Sequence, residues 1–345
     1  MRSAVSGQWS VVREAQNPVV LRASRVVEWV SMAARGLYAS GVLRTHRAAV
    51  PVISVGNIAM GGTGKTPLVA AIARFLREQG ARPAILTRGY RRRDPRPRLV
   101  RGGPPPSWEE IGDEPALLAH MLPDVAIAVD ADRVRGAATA VGEAGATHLV
   151  LDDGFQHWRL ARDLDIVVVD AGDPLSERRP RRESPGALAR ADVAVAIDAD
   201  HDALAAAVPT ICAHAPGLRL VGLRLRPSAV VLGEERRPVE WLRGRRVVPF
   251  AGIAAPERFF ATVEALGADI AEAYSFPDHH ECSRRELDVL LQRAGELDAL
   301  PIAIAKDAIK LGAADLARIA WLAVELETLS GALAELVSAL VGRSA

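Results

Sequence analysis

Residues 61–67 have the composition and the setting of a loop that binds phosphate groups. They read Gly-Gly-Thr-Gly-Lys-Thr-Pro, follow an apolar segment that ends at Val55, and precede a segment with helical periodicity. Glycines let the backbone approach a ligand closely, and a helix N-terminus favours an anion. Lys65 would then reach the β- and γ-phosphates of a nucleotide, and the Thr66 hydroxyl would ligate Mg²⁺. The full pattern expects glycine where this chain has Ala59, so an ordinary structural turn is the alternative.

Two carboxylates end a second apolar segment. Residues 149–151 are Leu-Val-Leu, and Asp152, Asp153 and Gly154 follow them. In a nucleotide-binding sheet, a strand near the phosphate loop ends in an aspartate that holds the magnesium ion or its water. The pair therefore predicts a metal site beside the loop, with a helix cap or a turn as the alternative.

Other polar clusters also fall where predicted strands end. They are Arg-Gly-Tyr at 88–90, Gly-Asp-Glu-Pro at 112–115 and Phe-Pro-Asp-His-His at 276–280. Ligands bind at the carboxyl ends of strands in open α/β sheets, so these clusters could converge on one site. Asp113 and Glu114 would equally suit the start of a helix. His279 and His280 lack a spaced cysteine or a third histidine nearby, which favours an acid–base or orienting role over metal binding.

Short β-branched segments alternate with alanine-rich helical segments from Val50 onward. Strands are predicted at 52–55, 84–87, 125–129, 149–151, 165–169 and 193–197, and helices at about 66–79, 113–122 and 132–144. This alternation is typical of an α/β fold with a P-loop-type, mostly parallel sheet flanked by helices.

A second apolar series begins near Leu218 and indicates another, smaller α/β domain. Its predicted strands include 247–253 and 302–305, and its predicted helices lie at about 256–266 and 283–296. We therefore predict three parts, which are an N-terminal segment at 1–48, a nucleotide-binding domain at 49–225 and the smaller domain at 226–345.

Residues 19–44 predict a basic amphipathic helix. Apolar residues recur there at helical spacing between arginines, and Glu28 is the only acid. Such a helix would lie in the interface of an anionic membrane or pack on its own domain. Glu28 and Arg35 interrupt the apolar run, so no segment reaches the ~20 apolar residues that a membrane-spanning helix needs. The first twenty residues contain no sustained apolar run, so we expect no secretory signal.

The composition describes about two globular domains. The chain has 345 residues, of which 49% are hydrophobic and 25% are charged, and this excludes disordered, collagen-like and disulfide-scaffold classes. The 43 basic and 42 acidic residues are too balanced for a surface that tracks nucleic acid. Cys212 and Cys282 lack metal-binding spacing, which suits a reducing compartment. Runs of arginine at 88–101 and 178–182 suit solvated loops or contacts with the phosphates of a ligand or lipid headgroup.

Several short motifs occur in a fixed order between about residue 20 and residue 312. They lie at 55–58, 61–67, 88–90, 112–115, 152–157, 252–254, 256–260, 276–280 and 306–311. This ordered set resembles the tetraacyldisaccharide 4'-kinase family, the lipid A 4'-kinases of Gram-negative envelope synthesis. The resemblance implies transfer of the γ-phosphate of ATP to the 4'-hydroxyl of an acylated glucosamine disaccharide 1-phosphate, with ATP and Mg²⁺ bound and no nucleic acid partner. It also implies a peripheral or monotopic protein at the cytoplasmic face of the inner membrane, docked on that anionic surface by residues 19–44.

The resemblance also implies roles for individual residues. The catalytic residues would be Asp113, His279 and Lys65. The nucleotide would be bound by Gly61, Gly62, Thr63, Gly64, Lys65, Thr66, Arg182 and Glu183. The acceptor would be bound by Asn57, Arg88, Tyr90, Gln156 and His157, and the metal by Thr66, Asp152, Asp153 and Glu114.

Other functions are compatible with a phosphate loop. A P-loop ATPase could act as a conformational switch or scaffold at the membrane, but its loop typically has lysine just before Gly-Gly, where this chain has Met60. A GTPase would need an Asn-Lys-x-Asp element, and the sequence contains none. A peripheral membrane protein could retain the nucleotide fold without catalysis. Dependence of ATP consumption on the acylated disaccharide would separate the kinase from all three.

Overall fold

The computed structural model describes residues 18–60, 64–90, 92–103, 106–177, 180–253, 255–277, 280–327 and 331–341. Within these residues the chain forms two compact units. The larger unit contains residues 18–226 and 325–341, and the smaller unit contains residues 227–324. The described residues form two β-sheets, one of eight strands and one of seven.

The larger unit alternates strands and helices. Its strands are β1 (Val52–Gly56), β2 (Pro83–Thr87), β3 (Arg98–Val100), β4 (Ala126–Val129), β5 (His148–Asp152), β6 (Leu164–Val169), β7 (Val193–Ile197) and β8 (Arg219–Leu223). Its helices up to residue 226 are α1 (Pro18–Ala39), α2 (Lys65–Glu78), α3 (Trp108–Ile111), α4 (Asp113–Met121), α5 (Arg133–Ala144) and α6 (His201–His214). The predicted α/β fold is confirmed. Helix α6 is not among the predicted helices, and it contains Pro209, a residue that usually interrupts a helix.

The sheet of the larger unit has the strand order β3-β4-β2-β5-β1-β6-β7-β8. Strand β3 runs antiparallel to β4, and the other pairs are parallel. Strands β1, β2, β5 and β6 are buried along their whole length, as expected for a parallel sheet covered on both faces. The central position of β1 and β5 places the segments after them in the middle of one sheet edge.

The smaller unit also consists of strands and helices. Its strands are β9 (Leu225–Leu232), β10 (Glu235–Arg237), β11 (Arg246–Ala251), β12 (Asp269–Ile270), β13 (Tyr274–Ser275), β14 (Leu300–Ile304) and β15 (Ala320–Leu326). Its helices are α7 (Pro256–Ala265), α8 (Arg284–Glu296), α9 (Ala305–Ala308) and α10 (Ala313–Leu316). The strand order is β10-β9-β15-β14-β11-β12, and β13 also pairs with β11.

The C-terminal helix α11 (Gly331–Val341) belongs to the larger unit, whereas the sequence pattern assigns 226–345 to the smaller one. Its residues Leu333, Val337 and Leu340 recur at helical spacing and are buried. The helix packs on α2 and β8. The apolar face of α11 therefore completes the core of the first sheet, and sequence order alone gives no sign of this return.

Helix α1 ends earlier than the predicted 19–44 range. Gly41 has a φ of 77°, a left-handed conformation that closes helices and that glycine adopts without strain. The backbone N–H of Gly41 donates to the carbonyl oxygen of Tyr38, and that of Leu43 donates to Leu37. Among the helices that the structure describes, none is long and apolar enough to cross a membrane.

A buried histidine fastens α11 to the sheet. His148 begins β5 and is 1% exposed. Its Nε2 lies 3.3 Å from the carbonyl oxygen of Leu340, which can only accept, so Nε2 carries the proton. Nδ1 lies 3.1 Å from the Thr147 hydroxyl. Burial lowers the pKa of His148, although the bond to Leu340 acts in the opposite direction.

This pKa shift predicts a loss of stability in mild acid. Below about pH 6.5 the unfolded chain takes up a proton at His148 more readily than the folded chain, so the free energy of unfolding falls as the pH falls. His148→Gln keeps an amide donor for Leu340 and does not titrate. We expect urea denaturation between about pH 7.5 and about pH 5 to show a smaller loss for this variant than for the wild type. Equal losses in both proteins would contradict the assignment.

Candidate active site

The carboxyl ends of the central strands of the larger sheet bring the predicted site residues together. Strand β1 pairs with β5, and β2 pairs with the other side of β5. All three are parallel, so they end at one edge of the sheet. Asn57, Arg88 and Asp153 are the first residues beyond these three strand ends.

Helix α2 begins with Lys65, whose side chain is buried at this edge. Its Nζ donates a hydrogen bond to Asn57 Oδ1 at 3.2 Å and lies 3.1 Å from Asp153 Oδ1. Gly64, which precedes the helix, has a φ of 80°, a conformation open to glycine. The ammonium group is thus held between an amide and a carboxylate at the end of the glycine-rich loop.

Asp153 balances two cations. Arg182 Nη1 lies 2.5 Å from Asp153 Oδ2, and Lys65 lies on the other oxygen. Burial by itself would raise the pKa of Asp153, but the charges of Lys65 and Arg182 outweigh burial and lower this pKa to about 2. Asp153 is therefore an anion at neutral pH, held by cations from two different segments.

Asp152 has a different environment, although it is the adjacent residue. Its Oδ2 accepts a hydrogen bond from Thr87 Oγ1 at 3.1 Å, and its buried Oδ1 accepts none from the residues described. Burial, followed by the negative charges of Glu114 and Asp153, raises the pKa of Asp152 to about 7. A buried carboxylate oxygen that lacks a donor is suited to a cation, so this position fits Mg²⁺.

Thr66 and Glu114 are the other oxygen ligands that the sequence predicts for the metal. Each is the second residue of its helix, α2 or α4, and each is half-buried. Within the described parts of the chain, no group of three or more His, Cys, Asp or Glu side chains could hold a metal. Mg²⁺ usually takes one or two carboxylates and fills its shell with phosphate oxygens and water, so it needs no such group.

Asp113 is buried at the first position of α4, next to the loop that follows β2. A Cβ on Gly112 would lie 2.7 Å from the carbonyl oxygen of Tyr90, and a Cβ on Gly89 would lie 2.7 Å from that of Ile111. Both glycines also have positive φ. The two motifs at 88–90 and 112–115 are therefore in backbone contact, which only glycine permits at these positions. The Asp113 Oδ1 accepts the backbone N–H of Glu114 at 2.9 Å.

Gln156 and Glu183 belong to a hydrogen-bonded network. Gln156 Nε2 donates to the carbonyl oxygen of Asn57 at 2.9 Å and to Glu183 Oε1 at 2.8 Å. Arg190 donates to both Glu183 oxygens at 2.6 and 2.8 Å and to the carbonyl oxygen of Phe155 at 2.7 Å. Glu183 thus aligns Gln156 and Arg190 in this structure, and its contact with nucleotide stays a prediction.

The remaining acceptor candidates lie beyond β2 and β5. Arg88 and Tyr90 are exposed, and Tyr90 is 56% accessible. His157 is half-buried, and its Nε2 has no partner among the residues described. Burial and the positive charges of Arg133 and Arg162 lower the pKa of His157 to about 4, so its imidazole is neutral. A neutral imidazole can donate a hydrogen bond to a sugar hydroxyl or accept one from it.

Sequence reasoning missed two arginines beside the site, the buried Arg133 and the half-buried Arg190. Arg133 begins α5 after β4, is 7% exposed, and its Nε has no partner in the described structure. Burial lowers the pKa of Arg133, and the negative charge of Asp152 acts in the opposite direction. Arg190 stacks 3.6 Å from the centroid of the Phe155 ring. Position at a strand end would have indicated Arg133, whereas nothing in the sequence pattern marks Arg190.

Four of the predicted site residues lie outside the described residues. They are Gly61, Gly62, Thr63 and His279. The adjacent His280 is described: its Nε2 lies 3.1 Å from both carboxylate oxygens of Glu286, and its ring stacks on Phe276. Among the described residues, Lys65, the paired aspartates and Arg182 form a charged cluster at this edge of the sheet.

Comparison with known proteins identifies relatives over most of the chain. The sequence model of the Tetraacyldisaccharide-1-P 4'-kinase family (LpxK) matches residues 17–342. Tetraacyldisaccharide 4'-kinase of Anaeromyxobacter dehalogenans (strain 2CP-C) is 44% identical over 312 residues, which are 86% of this chain and 82% of that protein. The protein of the same name from Paramagnetospirillum magneticum is 42% identical over 288 residues, with 82% and 83% covered.

A solved structure resembles the whole chain. The crystal structure of LpxK from Aquifex aeolicus in complex with ATP has a TM-score of 0.73 and 28% sequence identity, and it covers 94% of this chain and 98% of that one. On sequence and on structure, the chain belongs to the tetraacyldisaccharide-1-P 4'-kinase family.

Proposed function

We propose that this chain transfers the γ-phosphoryl group of ATP to the 4'-hydroxyl of a tetraacylated glucosamine disaccharide 1-phosphate, with Mg²⁺ as cofactor. The family supports a lipid A 4'-kinase rather than an ATPase switch. The observation that carries the nucleotide site is the buried Lys65 ammonium, which lies within hydrogen-bonding distance of Asn57 and Asp153 at the end of the glycine-rich loop.

Lys65 and the two aspartates have different roles at the phosphates. Lys65 would exchange its contact with Asp153 for the β- and γ-phosphate oxygens, whose negative charge it balances during transfer. Asp152, Asp153 and Thr66 are the residues that would hold Mg²⁺, with Glu114 nearby. When bound, the ion neutralises charge on the phosphate oxygens. Arg182 keeps Asp153 in place from the opposite side.

Asp113 is the residue that we assign as general base. It would accept the proton of the 4'-hydroxyl while the hydroxyl oxygen bonds to the γ-phosphorus and the bond from this phosphorus to the bridging oxygen breaks, releasing ADP. Its buried position at the start of α4, beside the Arg88–Tyr90 loop, supports this role. His279, which the resemblance pairs with it, lies outside the described residues, so the assignment of the base rests on Asp113.

Helix α1 supports docking on an anionic membrane surface. Its polar and small residues Ser24, Glu28 and Ser31 face the protein, whereas Val26, Trp29 and Val30 are between 63% and 69% exposed. This is the reverse of a helix that packs on a protein core. Arg25 and Arg35 in this helix and Arg44 just after it are exposed as well, and basic side chains favour anionic lipid headgroups. We infer a peripheral protein at the cytoplasmic face of the inner membrane, where its acylated acceptor resides.

Loss of the ammonium group should abolish most turnover. We expect Lys65→Ala to lower kcat by about 10²–10³-fold, because the transferring group loses a positioned cation. Arg77→Ala, which removes an exposed cation from the same helix, is the matched control and should keep full activity. Labelled ATP and the acylated disaccharide measure the reaction, and the phosphorylated position of the product identifies it. Turnover of the Lys65 variant at the wild-type rate would contradict the assigned site.

Removal of the base should separate chemistry from nucleotide binding. We expect Asp113→Asn to lower kcat by about 10²–10⁴-fold while the Kd for ATP stays within about twofold. Asp124→Asn, at an exposed position after α4, is the control. Calorimetry of ATP binding and the labelled-ATP assay test both parts. A full rate in the Asp113 variant would assign the base to another residue.

The membrane proposal predicts a selective loss of lipid binding. Trp29→Glu should weaken binding to vesicles of phosphatidylglycerol and phosphatidylcholine by about tenfold or more, because a large apolar side chain no longer enters the interface. Val289→Glu places the same charge at another exposed apolar position, on α8, and should bind as the wild type does. Sedimentation with vesicles measures both. Equal binding by all three proteins would contradict docking through α1.

A further inference from the structure

Helix α1 contacts the rest of the larger unit through an ion pair. Glu28 is the only acid in the helix, and its side chain is 16% exposed. Its Oε1 lies 3.1 Å from Nε of Arg181. An acid that faced an anionic surface would be repelled by it, so a paired carboxylate on the inner side is the arrangement that a lipid-binding helix tolerates. Glu28 therefore marks the face of α1 that lies against the protein.

Arg181 lies in a segment that pairs with the chain just before the phosphate loop. Arg181 and Ala59 form an antiparallel bridge. The backbone N–H of Met60 donates to the carbonyl oxygen of Pro180 at 2.8 Å, and that of Arg182 donates to Ile58 at 2.7 Å. Residues 180–182 thus fix the backbone at 58–60, directly ahead of residues 61–66.

The same segment reaches the charged centre of the site through its next side chain. Arg182 Nη1 binds Asp153 Oδ2, and Asp153 Oδ1 lies 3.1 Å from the Lys65 ammonium. From Glu28 to Lys65 the path consists of three ion pairs, of which two share the Asp153 carboxylate, and the peptide bond between Arg181 and Arg182. These contacts connect α1 to the Lys65 ammonium, the group that would bind the phosphates.

The other end of α1 contacts the second segment of the site. The rings of Tyr38 and Trp158 have centroids 6.5 Å apart, and the Thr45 hydroxyl donates to the carbonyl oxygen of Trp158 at 3.1 Å. Trp158 follows His157, an acceptor candidate. Helix α1 therefore contacts residues 180–182, which lie beside the phosphate loop, and Trp158, which follows the acceptor candidate His157. The Glu28–Arg181 ion pair makes the first of these contacts.

We propose that Glu28 is a positioning residue that couples lipid binding by α1 to nucleotide binding at Lys65. This inference rests on the proposed function. An anionic bilayer that binds the apolar face of α1 restricts the motion of the helix. Through the Glu28–Arg181 ion pair, this also restricts the motion of residues 180–182 and of the ion pair between Arg182 and Asp153. The nucleotide then has less disorder to remove when it binds, which strengthens its binding. By linkage, the nucleotide strengthens vesicle binding by the same factor.

The test measures the Kd of a fluorescent ATP analogue with and without vesicles of phosphatidylglycerol and phosphatidylcholine. In the wild type we expect vesicles to tighten nucleotide binding by about three- to fivefold, the range open to a partly buried ion pair. In Glu28→Gln the vesicles should bind at least as well, because a negative charge has been removed, but the nucleotide Kd should not change. Ser31→Ala, on the same inner face, is the control and should behave as the wild type.

Two further measurements separate coupling from a structural role. Hydrogen exchange at the backbone amides of Arg181 and Arg182 should slow on vesicle addition in the wild type and not in Glu28→Gln. The exchanged pair Glu28→Arg with Arg181→Glu should restore at least half of the vesicle effect on nucleotide Kd, since it restores attraction between the two positions.

The outcomes distinguish this inference from the proposed function. A vesicle effect of equal size in the wild type and in Glu28→Gln overturns the coupling, and so does wild-type protein that binds vesicles without any change in nucleotide Kd. Wild-type protein that ignores vesicles overturns membrane docking together with the coupling. Failure to bind the nucleotide under any condition overturns the proposed function itself.

Discussion

The contact on which the candidate site depends is the ion pair between the buried Lys65 and the half-buried Asp153. An isolated charge is costly to bury, so the opposite charge of Asp153 offsets part of the cost of burying the Lys65 ammonium. Asn57 and Arg182 complete the arrangement, one through an amide oxygen and the other through a guanidinium. Since the four residues come from four separate segments, the pair also draws those segments to one point.

The contrast between the two adjacent aspartates follows from this pairing. Asp153 receives both cations and has its pKa lowered, whereas Asp152 receives one hydroxyl group, lies near two other carboxylates and has its pKa raised. Asp152 is thus a buried group whose ionised form lacks full compensation within the protein. A divalent cation would supply the missing positive charge, which gives a physical reason for a nucleotide and Mg²⁺ to bind together.

Helix α1 presents the opposite balance. Its inner face is small and polar, and its outer face is apolar, so burial against the protein body does not account for its composition. The helix is attached at discrete points, one at Glu28 and one at Tyr38. Elements with few buried apolar contacts are those whose order is most readily altered by a ligand. A surface that supplies the absent apolar contacts can therefore affect what the attachment points hold.

The sequence by itself determined the fold class, the alternation of strands and helices, and the residue types at the strand ends. These are local properties, because periodicity and β-branching act within a single element. It also carried the ordered motifs that point to the family. Element ends depend on single turn residues, as shown by α1, which stops at Ala39 because Gly41 adopts a left-handed conformation.

Only the tertiary structure decided which of these residues meet. The return of α11 to the first sheet, the antiparallel bridge between Ala59 and Arg181, and the enclosure of Glu183 by Arg190 all join residues that periodicity does not connect. Such contacts depend on strand order and on which faces remain to be covered. For the same reason, the sequence named both aspartates as metal ligands but could not predict that Asp153 pairs with two cations whereas a buried oxygen of Asp152 accepts no hydrogen bond from the described residues.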